Sequence, residues 1–311
     1  MAQRLNLKEL SKQEERLSPG HRLCAGCGAS IIARQVLHAI EEPVVVANAT
    51  GCLEVATTIY PYTAWKVPWI HNAFENAAAT LSGAESMYRS LVRQGKLEEQ
   101  DVKFVAFGGD GGTYDIGLQS LSGALERGHD LLYVCYDNGA YMNTGIQRSS
   151  ATPYGAWTTT SPAGEVIPGK TQFRKDLTSI VAAHGVPYAA QASPHNWRDL
   201  MTKVRKAVST QGPTFINVVS SCNRGWRHGT DTTIEICEKA VESCYWPLFE
   251  VEDGEWTLNY KPKEKLPVEE YLRPQGRFRH LFEEKNRHMI DKLQEHVDKQ
   301  WEQLLRRCGE A

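Results

Sequence analysis

The chain has 311 residues, of which 41% are hydrophobic and 23% are charged, and its formal net charge is -2. This near-neutral balance argues against nucleic acid or an anionic membrane as the main partner, because both select basic surfaces. No apolar run approaches the roughly 20 residues of a membrane helix, and residues 1–20 do not resemble a secretory signal. We therefore expect a cytoplasmic protein whose cysteines are reduced.

The first half of the chain predicts a βαβ unit and hence a parallel sheet. Residues 1–20 predict an arm that wraps the domain or a neighbouring chain. The next elements are a helix at 29–40, a strand at 44–47, an alanine-rich helix at 74–96 opened by Asn72, a strand at 103–107, a helix carrying Leu118, Leu121 and Leu125, and a strand at 131–136. The last strand–helix–strand stretch is a crossover, which joins parallel neighbours.

The second half of the chain begins with a long irregular segment. Residues 139–172 are rich in Gly, Thr, Ser and Pro and begin at a strand end, which predicts a functional loop. The later elements are helices at 177–184 and 196–209, a strand at 214–219 and a charged helix at 277–305. We divide the chain into an α/β domain at 1–235 and a C-terminal extension at 236–311, whose helix packs on another subunit or on the outside of the domain.

Four cysteines stand at loop positions that suit metal ligands. Cys24 and Cys27 form a Cys-x-x-Cys turn, and Cys52 and Cys222 each follow a strand. Zinc and iron–sulfur sites both use this turn. The turn is less typical of a redox dithiol because no strand precedes it, and Cys52 and Cys222 as buried core thiols remain an alternative. The other cysteines are interpreted as core (Cys135) and as packing or surface thiols (Cys237, Cys244 and Cys308).

A second group of residues suits a diphosphate bound through Mg²⁺. Asp110 lies between glycines at the end of an apolar strand, and Asn138 follows the next strand. Glycines let backbone N–H groups approach phosphate oxygens, and Asp110 and Asn138 offer the oxygen ligands that Mg²⁺ takes. The alternative is an ordinary turn with a capping aspartate. The glycines concerned are Gly109, Gly111 and Gly112.

Polar residues near these turns are further candidates. Asn143, Thr144 and Gly145 could hydrogen-bond a diphosphate or a substrate carboxylate, and Arg148 could do the same or remain solvated. His71 and Glu75 form either a catalytic cluster or an ordinary helix N-terminus. Glu54 is expected to pair with a lysine.

Five segments together resemble one protein family. They are His21 to Gly28, Ala49 to Cys52, His71 to Asn76, Gly108 to Gly117, and Tyr141 to Gly145. In order and spacing they resemble the beta, thiamine-binding subunit of pyruvate:ferredoxin oxidoreductase and its 2-oxoacid relatives, over nearly the whole chain. Two positions depart from the family pattern, because Gly139 stands where relatives often carry Glu and Ser221 where they often carry Pro.

The resemblance implies a fold and a set of ligands. The fold is a doubly wound parallel sheet with helices on both faces, and the cofactors are thiamine diphosphate, Mg²⁺ and a [4Fe–4S] cluster. The implied cluster ligands are Cys24, Cys27, Cys52 and Cys222, and the implied Mg²⁺ ligands are Asp110, Asn138 and the carbonyl of Ala140. Gly51 belongs to the cofactor site, and Asn143 and Thr144 match catalytic positions lining the cofactor and substrate pocket.

The resemblance also implies a reaction and its partners. It implies oxidative decarboxylation of a 2-oxoacid, first of all pyruvate to acetyl-coenzyme A and CO₂, with electrons passing through the cluster to ferredoxin. Alpha, gamma and delta type subunits complete the complex, and the alpha subunit supplies a glutamate that thiamine needs, so the chain is expected to be inactive alone. The alternatives are oxalate or another 2-oxoacid as substrate, a non-redox thiamine lyase with structural zinc, and a non-catalytic interaction subunit.

Overall fold

A mixed β-sheet organises the computed structural model of the protein, which describes residues 5–310. The strands are β1 (Val44–Ala49), β2 (Trp69–Asn72), β3 (Lys103–Gly109), β4 (Leu131–Asp137), β5 (Tyr188–Ala192), β6 (Pro213–Val219), β7 (Phe249–Glu252) and β8 (Glu255–Leu258). The helices are α1 (Leu7–Leu10), α2 (Gly28–Ala39), α3 (Cys52–Val55), α4 (Ala77–Arg93), α5 (Leu118–Glu126), α6 (Leu177–Ala182), α7 (Trp197–Ser209), α8 (Asn223–Trp226), α9 (Thr233–Glu242), α10 (Val268–Leu272) and α11 (His288–Arg307). A π-helical turn at Gly111–Ile116 and 3-10 turns at Gly276–Phe282 and Glu284–Asn286 complete them.

The strand order is β2-β1-β3-β4-β6-β5-β7-β8. The first six strands in this order are parallel, which confirms the predicted parallel sheet, and the β7–β8 hairpin adds two antiparallel strands at one edge. The chain runs from β1 to the edge strand β2 and returns to the other side of β1 as β3. The order therefore reverses between β1 and β3, and open α/β sheets bind ligands at the carboxyl ends of strands at such a point.

Helices cover both faces of the sheet, as the doubly wound fold requires. On one face, α2 and α7 pack against strand residues such as Val105 and Phe107. On the other face, α4, α5 and α6 pack against the alternate residues Phe104 and Ala106. This alternation follows from the period of two in a strand, and it leaves the strands buried on both sides, as parallel strands usually are.

The C-terminal extension packs on its own chain. Met289, Leu293 and Val297 of α11 are buried in a cluster that also contains Trp226 and residues of α9 and α10. Of the two predicted positions for this helix, the structure shows packing on the outside of the domain. Residues 276–286 form 3-10 turns, so the helix is shorter at its start than the predicted 277–305.

The predicted elements of the first half are present, with one wrong boundary. Helix α4 begins at Ala77, and Asn72 is instead the last residue of β2, so the predicted opening of this helix is wrong.

The arm packs on the domain through Leu17, which is buried and bridges to Trp65. Residues 1–4 of the predicted arm and residue 311 of the extension lie outside the described residues. Within the described part of the chain, no helix is long and apolar enough to cross a membrane.

Candidate functional site

A cleft opens where the strand order reverses. The segments after β1, β3 and β4 line it, together with Phe74 from the turn after β2. The lining residues are Thr50, Gly51, Cys52, Phe74, Gly109, Gly111, Gly112, Tyr136, Asn138, Ala140, Tyr141, Met142, Asn143 and Thr144. The cleft therefore joins the predicted diphosphate glycines to one of the predicted cluster cysteines.

Three oxygen atoms converge beside the cleft. The carboxamide oxygen of Asn138 faces the carbonyl oxygen of Ala140 at 2.8 Å and Oδ1 of Asp110 at 2.9 Å, and turning the amide over would let its nitrogen donate to both. Adjacent ligands of an octahedral Mg²⁺ lie about 2.9 Å apart when each metal–oxygen distance is 2.0–2.1 Å. The three predicted Mg²⁺ ligands are thus brought together at a spacing that suits this ion.

The Asp110 carboxylate is fully buried and firmly held. Its Oδ1 accepts a hydrogen bond from the backbone N–H of Asn138 at 3.2 Å, and its Oδ2 accepts one from Ser149 Oγ at 2.5 Å. Burial, and next the charge of Asp137, raise the pKa of Asp110 well above its usual range. A buried carboxylate with this environment is favourable only beside a cation or as the neutral acid, so the site suits a divalent ion.

Arg174 neutralises the negative charge of Asp137, the aspartate next to the site. Its Nη2 donates to Asp137 Oδ2 at 2.5 Å and to Tyr114 Oη at 2.6 Å. The negative charge of Asp137 raises the pKa of Arg174 well above its usual value, although burial opposes this, and the guanidinium also lies 4.5 Å from the Trp246 ring. The ion pair fixes the end of β4, which carries Asn138.

The glycines of the cleft are closely covered. A Cβ at Gly112 would lie 2.6 Å from the Phe74 carbonyl oxygen, and one at Gly109 would lie 3.4 Å from the Tyr136 ring. A Cβ at Gly111 would overlap the ring of Tyr141. Only glycine fits at Gly111 and Gly112, because the Tyr141 ring and the Phe74 carbonyl oxygen occupy the space that a Cβ would need.

The rim of the cleft is exposed. Asn143 and Thr144 line it, and the Thr144 hydroxyl donates to Gln147 Oε1 at 2.5 Å. Gly145 and Arg148 lie outside the lining, and Arg148 is exposed, with its guanidinium 3.4 Å from Gln172 Oε1. The structure therefore brings Asn143 and Thr144, but not Gly145, to the predicted cofactor site.

His71 and Glu75 do not cap a helix. His71 lies in β2, where its Nε2 is 3.0 Å from Thr50 Oγ1 and its Nδ1 is 3.7 Å from Glu54. Helix α4 has no side-chain hydrogen bond at its N-cap, so the capping interpretation is not supported. The expected lysine partner of Glu54 is wrong, because Glu54 contacts a histidine.

The four predicted cluster cysteines come together from three segments, because Cys24 and Cys27 share one turn. Burial, and next negative charge at Cys222, Cys27 and Cys24, together raise the pKa of Cys52 to about 12. Burial likewise raises the pKa of Cys27 to about 11, with contributions from Cys222 and Cys24. Burial also raises the pKa of Cys222, and charge at Cys24 adds to it. All four sulfurs therefore lie within electrostatic range of one another.

These thiols suit neither a redox dithiol nor a single zinc ion. Reactive cysteines have a lowered pKa, whereas burial raises the pKa of Cys27, Cys52 and Cys222. Among residues 5–310, no three His, Cys, Asp or Glu side chains are placed to hold one metal ion. Zinc needs its ligands about 2.3 Å from one atom, while a cubane binds each cysteine to a different iron and so accepts wider spacing.

Backbone groups reinforce the thiol arrangement. The Gly225 N–H donates to Cys222 Sγ at 3.3 Å. The amide of Gly28, which follows the Cys-x-x-Cys turn, donates to the Ser221 carbonyl oxygen at 3.0 Å and so ties the two cysteine loops together. Ser221 also contacts His228, its Oγ lying 2.6 Å from Nε2. The remaining cysteines behave as expected, since Cys135, Cys237 and Cys244 are buried and Cys308 is partly exposed.

Several residues of the site were not predicted. Ser149 and Arg174 lie in irregular segments, Tyr136 lies in an apolar strand, and Trp226 follows the turn at Cys222. Trp226 connects the segment after Cys222 to the predicted Mg²⁺ ligands, because its Nε1 donates to the Asn138 carbonyl oxygen at 2.6 Å. The sequence signal for it was its place four residues after Cys222.

The chain is similar to known thiamine-dependent proteins. Residues 49–218 match the family model "Thiamine pyrophosphate enzyme, C-terminal TPP binding domain". Pyruvate synthase subunit PorB of Thermotoga maritima is 54% identical over 311 residues, covering 97% of this chain and 96% of that protein. PorB of Methanocaldococcus jannaschii is 54% identical over 287 residues, covering 92% and 95% of the two chains. Ketoisovalerate oxidoreductase subunit VorB of Pyrococcus abyssi is 45% identical over 293 residues, covering 94% and 93%.

One solved structure shares the fold. It is 2-oxoglutarate:ferredoxin oxidoreductase from Magnetococcus marinus, described with 2-oxoglutarate, coenzyme A and succinyl-CoA bound. The TM-score is 0.54 at 19% identity, and the match covers 73% of this chain and 81% of that one. At this identity the likeness supports the α/β fold only.

Proposed function

Because the chain belongs to the family of thiamine-binding beta subunits of 2-oxoacid:ferredoxin oxidoreductases, we propose that its complex converts pyruvate to acetyl-coenzyme A. Enzymes of this family need partner subunits. In the proposed reaction, pyruvate, coenzyme A and two oxidised ferredoxins give acetyl-coenzyme A, CO₂, two reduced ferredoxins and one proton. The partners are then alpha, gamma and delta type subunits, ferredoxin and coenzyme A, in the cytoplasm.

One observation carries the proposal. The cleft that holds the diphosphate glycines also reaches Cys52, so the site for thiamine and the thiol group share a wall. Thiamine diphosphate supplies the electron sink for loss of CO₂. The oxidation then releases two electrons, and a [4Fe–4S] cluster transfers electrons one at a time, which is a physical reason to place the two groups together.

The chain's residues take the following roles in this proposal. Asp110, Asn138 and the Ala140 carbonyl hold Mg²⁺, and the backbone at Gly109, Gly111 and Gly112 receives the diphosphate. Gly51 lets the cofactor approach β1 closely. Asn143 and Thr144 orient the substrate carboxylate at the rim. The cluster ligands are Cys24, Cys27, Cys52 and Cys222, with the backbone amide at Gly225 supporting Cys222.

Two further assignments belong to the proposal. His71, held by Thr50 and near Glu54, is in position to exchange a proton at the rim, beside the exposed Glu75. We assign residues 1–235 to the catalytic domain and residues 236–311 to an extension that contacts a partner subunit. The exposed face of α11 suits this contact, because its buried face already packs on the domain.

The purified complex tests the proposal. With a viologen dye as electron acceptor, we expect coenzyme A-dependent oxidation of pyruvate to exceed that of 2-oxoisovalerate, 2-oxoglutarate and oxalate. Preference for 2-oxoisovalerate would instead assign the specificity of the VorB relative, which is 45% identical. A complex without iron would contradict the electron route.

Variants test the role of the cleft in the same complex. Asp110→Ala removes a proposed Mg²⁺ ligand and should abolish thiamine diphosphate binding, measured by calorimetry, and with it turnover. Asp101→Ala is the matched control, because Asp101 is exposed and pairs with Lys103 at the opposite end of β3. Retained cofactor binding in Asp110→Ala would favour a non-catalytic subunit.

A further inference from the structure

Tyr136 carries a buried hydroxyl without a partner. The residue lies near the end of β4 and is 2% exposed, and its Oη has no hydrogen bond within the described residues. Buried tyrosine hydroxyls are usually satisfied, and an unsatisfied one costs free energy. The natural explanation is that the acceptor belongs to a group bound at this point.

Other buried tyrosines in the sheet differ from Tyr136. Tyr133 Oη lies 3.1 Å from Thr113 Oγ1, Tyr188 Oη donates to Glu250 at 2.6 Å, and Tyr114 Oη receives Asn217 Nδ2 at 2.8 Å. These residues show that the fold can satisfy a buried phenol when its role is structural. The Tyr245 hydroxyl is also buried without a partner within the described residues, but Tyr245 packs on the C-terminal cluster and does not line the cleft. Tyr136 therefore differs by combining an unpartnered hydroxyl with a place in the cleft.

The Tyr136 hydroxyl points to the thiol side of the cleft. A Cβ at Gly51 would lie 2.9 Å from Tyr136 Oη, and Gly51 directly precedes Cys52. The ring edge faces Gly109, 3.4 Å from where a Cβ would be. The phenol thus lies between the diphosphate glycines and the thiol group.

We propose that the Tyr136 hydroxyl donates a hydrogen bond to a sulfur of the cluster, either the Cys52 thiolate or a sulfide beside it. This inference rests on the proposed function, because it needs the cluster. A hydrogen bond to sulfur stabilises the reduced, more negative cluster and so raises its reduction potential. Tyr136 is then a positioning residue that makes the cluster a better acceptor for electrons from the adjacent thiamine site.

The test is an EPR-monitored redox titration of the purified complex with Tyr136→Phe. The difference between wild-type and variant spectra isolates the cluster of this chain from others in the complex. We expect a more negative potential, with the one-electron reduction constant lowered about three- to tenfold, as loss of one hydrogen bond predicts; tenfold corresponds to about 59 mV. A deuterium coupling from the hydroxyl, seen in wild type after exchange into D₂O, should disappear.

Controls separate the possible failures. Tyr188→Phe removes a buried hydroxyl whose partner is Glu250, far from the cleft in sequence, and should leave the potential unchanged. A wild-type complex without a cluster signal would contradict the proposed function itself. A normal cluster whose potential is unchanged in Tyr136→Phe would overturn only this inference, and weakened thiamine diphosphate binding with that unchanged potential would assign the hydroxyl to thiamine instead.

Discussion

Two donors hold the Asp110 carboxylate in place. The backbone N–H of Asn138 donates to Oδ1, and the Ser149 hydroxyl donates to Oδ2 at 2.5 Å. Residues that hydrogen-bond a metal ligand orient it and tune its affinity. The motif around Asp110 was visible in the sequence, whereas Ser149 was not, because it lies 39 residues away within an irregular loop and meets Asp110 only in the folded chain.

The role of Ser149 leads to a prediction on Mg²⁺ affinity. Ser149→Ala removes the donor to Oδ2 and frees the carboxylate to rotate, so we expect Mg²⁺ binding to weaken about 10- to 100-fold, as loss of such partners usually does. The measurement is a Mg²⁺ titration of the metal-free complex at saturating thiamine diphosphate, followed by calorimetry.

A neighbouring serine provides the control for this prediction. Ser150 uses its backbone N–H to bond Asp115 at 3.0 Å, and that bond survives Ser150→Ala. This variant should bind Mg²⁺ as the wild type does. Equal affinities for both alanine variants and the wild type would show that Ser149 does not support the metal site.

At the scale of elements, the long apolar strands could be predicted from the sequence, whereas some short strands could not. The apolar strands β3 and β4 and the glycine-rich turn after β3 were evident, because their burial on both faces leaves continuous apolar runs. β5 is Tyr-Ala-Ala-Gln-Ala, which lacks β-branched residues, and its pairing with β6 and β7 makes it a strand.

The β7–β8 hairpin was missed although its signal is in the sequence. Asp253 and Gly254 lie between two runs that alternate apolar and polar residues, a typical hairpin pattern. Both have positive φ, 49° and 87°, as the turn requires. The proximity of the four cysteines, which lie in three separate segments, is a different case, because only the tertiary structure brings these segments together.

The docking of the Cys-x-x-Cys turn gives a second prediction. Gly26 has φ 72°, and a Cβ there would overlap the Thr230 carbonyl. Gly26→Ala should push the turn away from Thr230 and so shift Cys24 and Cys27, and we expect the complex to lose most of the iron assigned to this chain, measured by iron and sulfide analysis.

Gly20 offers a matched control for Gly26. It also has positive φ, 90°, but a Cβ there would meet nothing within 4 Å. Gly20→Ala carries the backbone strain of about 1–2 kcal/mol without the overlap, and should retain its iron. Similar iron loss in both variants would mean that strain, rather than close docking, explains the result.

At the scale of the whole molecule, the cleft has a buried floor and an exposed rim. Asp110 and Ala140 are buried, whereas His71, Asn143 and Thr144 are exposed. Carbon–carbon bond cleavage at thiamine requires a site from which water is excluded. One chain alone leaves the rim in solvent, so we expect a partner subunit to cover this face.

Hydrogen exchange followed by mass spectrometry tests this arrangement. Assembly with the partner subunits should slow amide exchange in residues 141–148 and 71–76, because the partner covers the rim. The loop at 94–102 precedes β3 at the amino ends of the strands, opposite the cleft, and should exchange at the same rate in both states.

The isolated chain should show no oxidation of pyruvate, and activity should appear together with rim protection as partners are added. Full activity of the isolated chain, or assembly that leaves 141–148 unprotected, would show that the cleft is complete within one subunit.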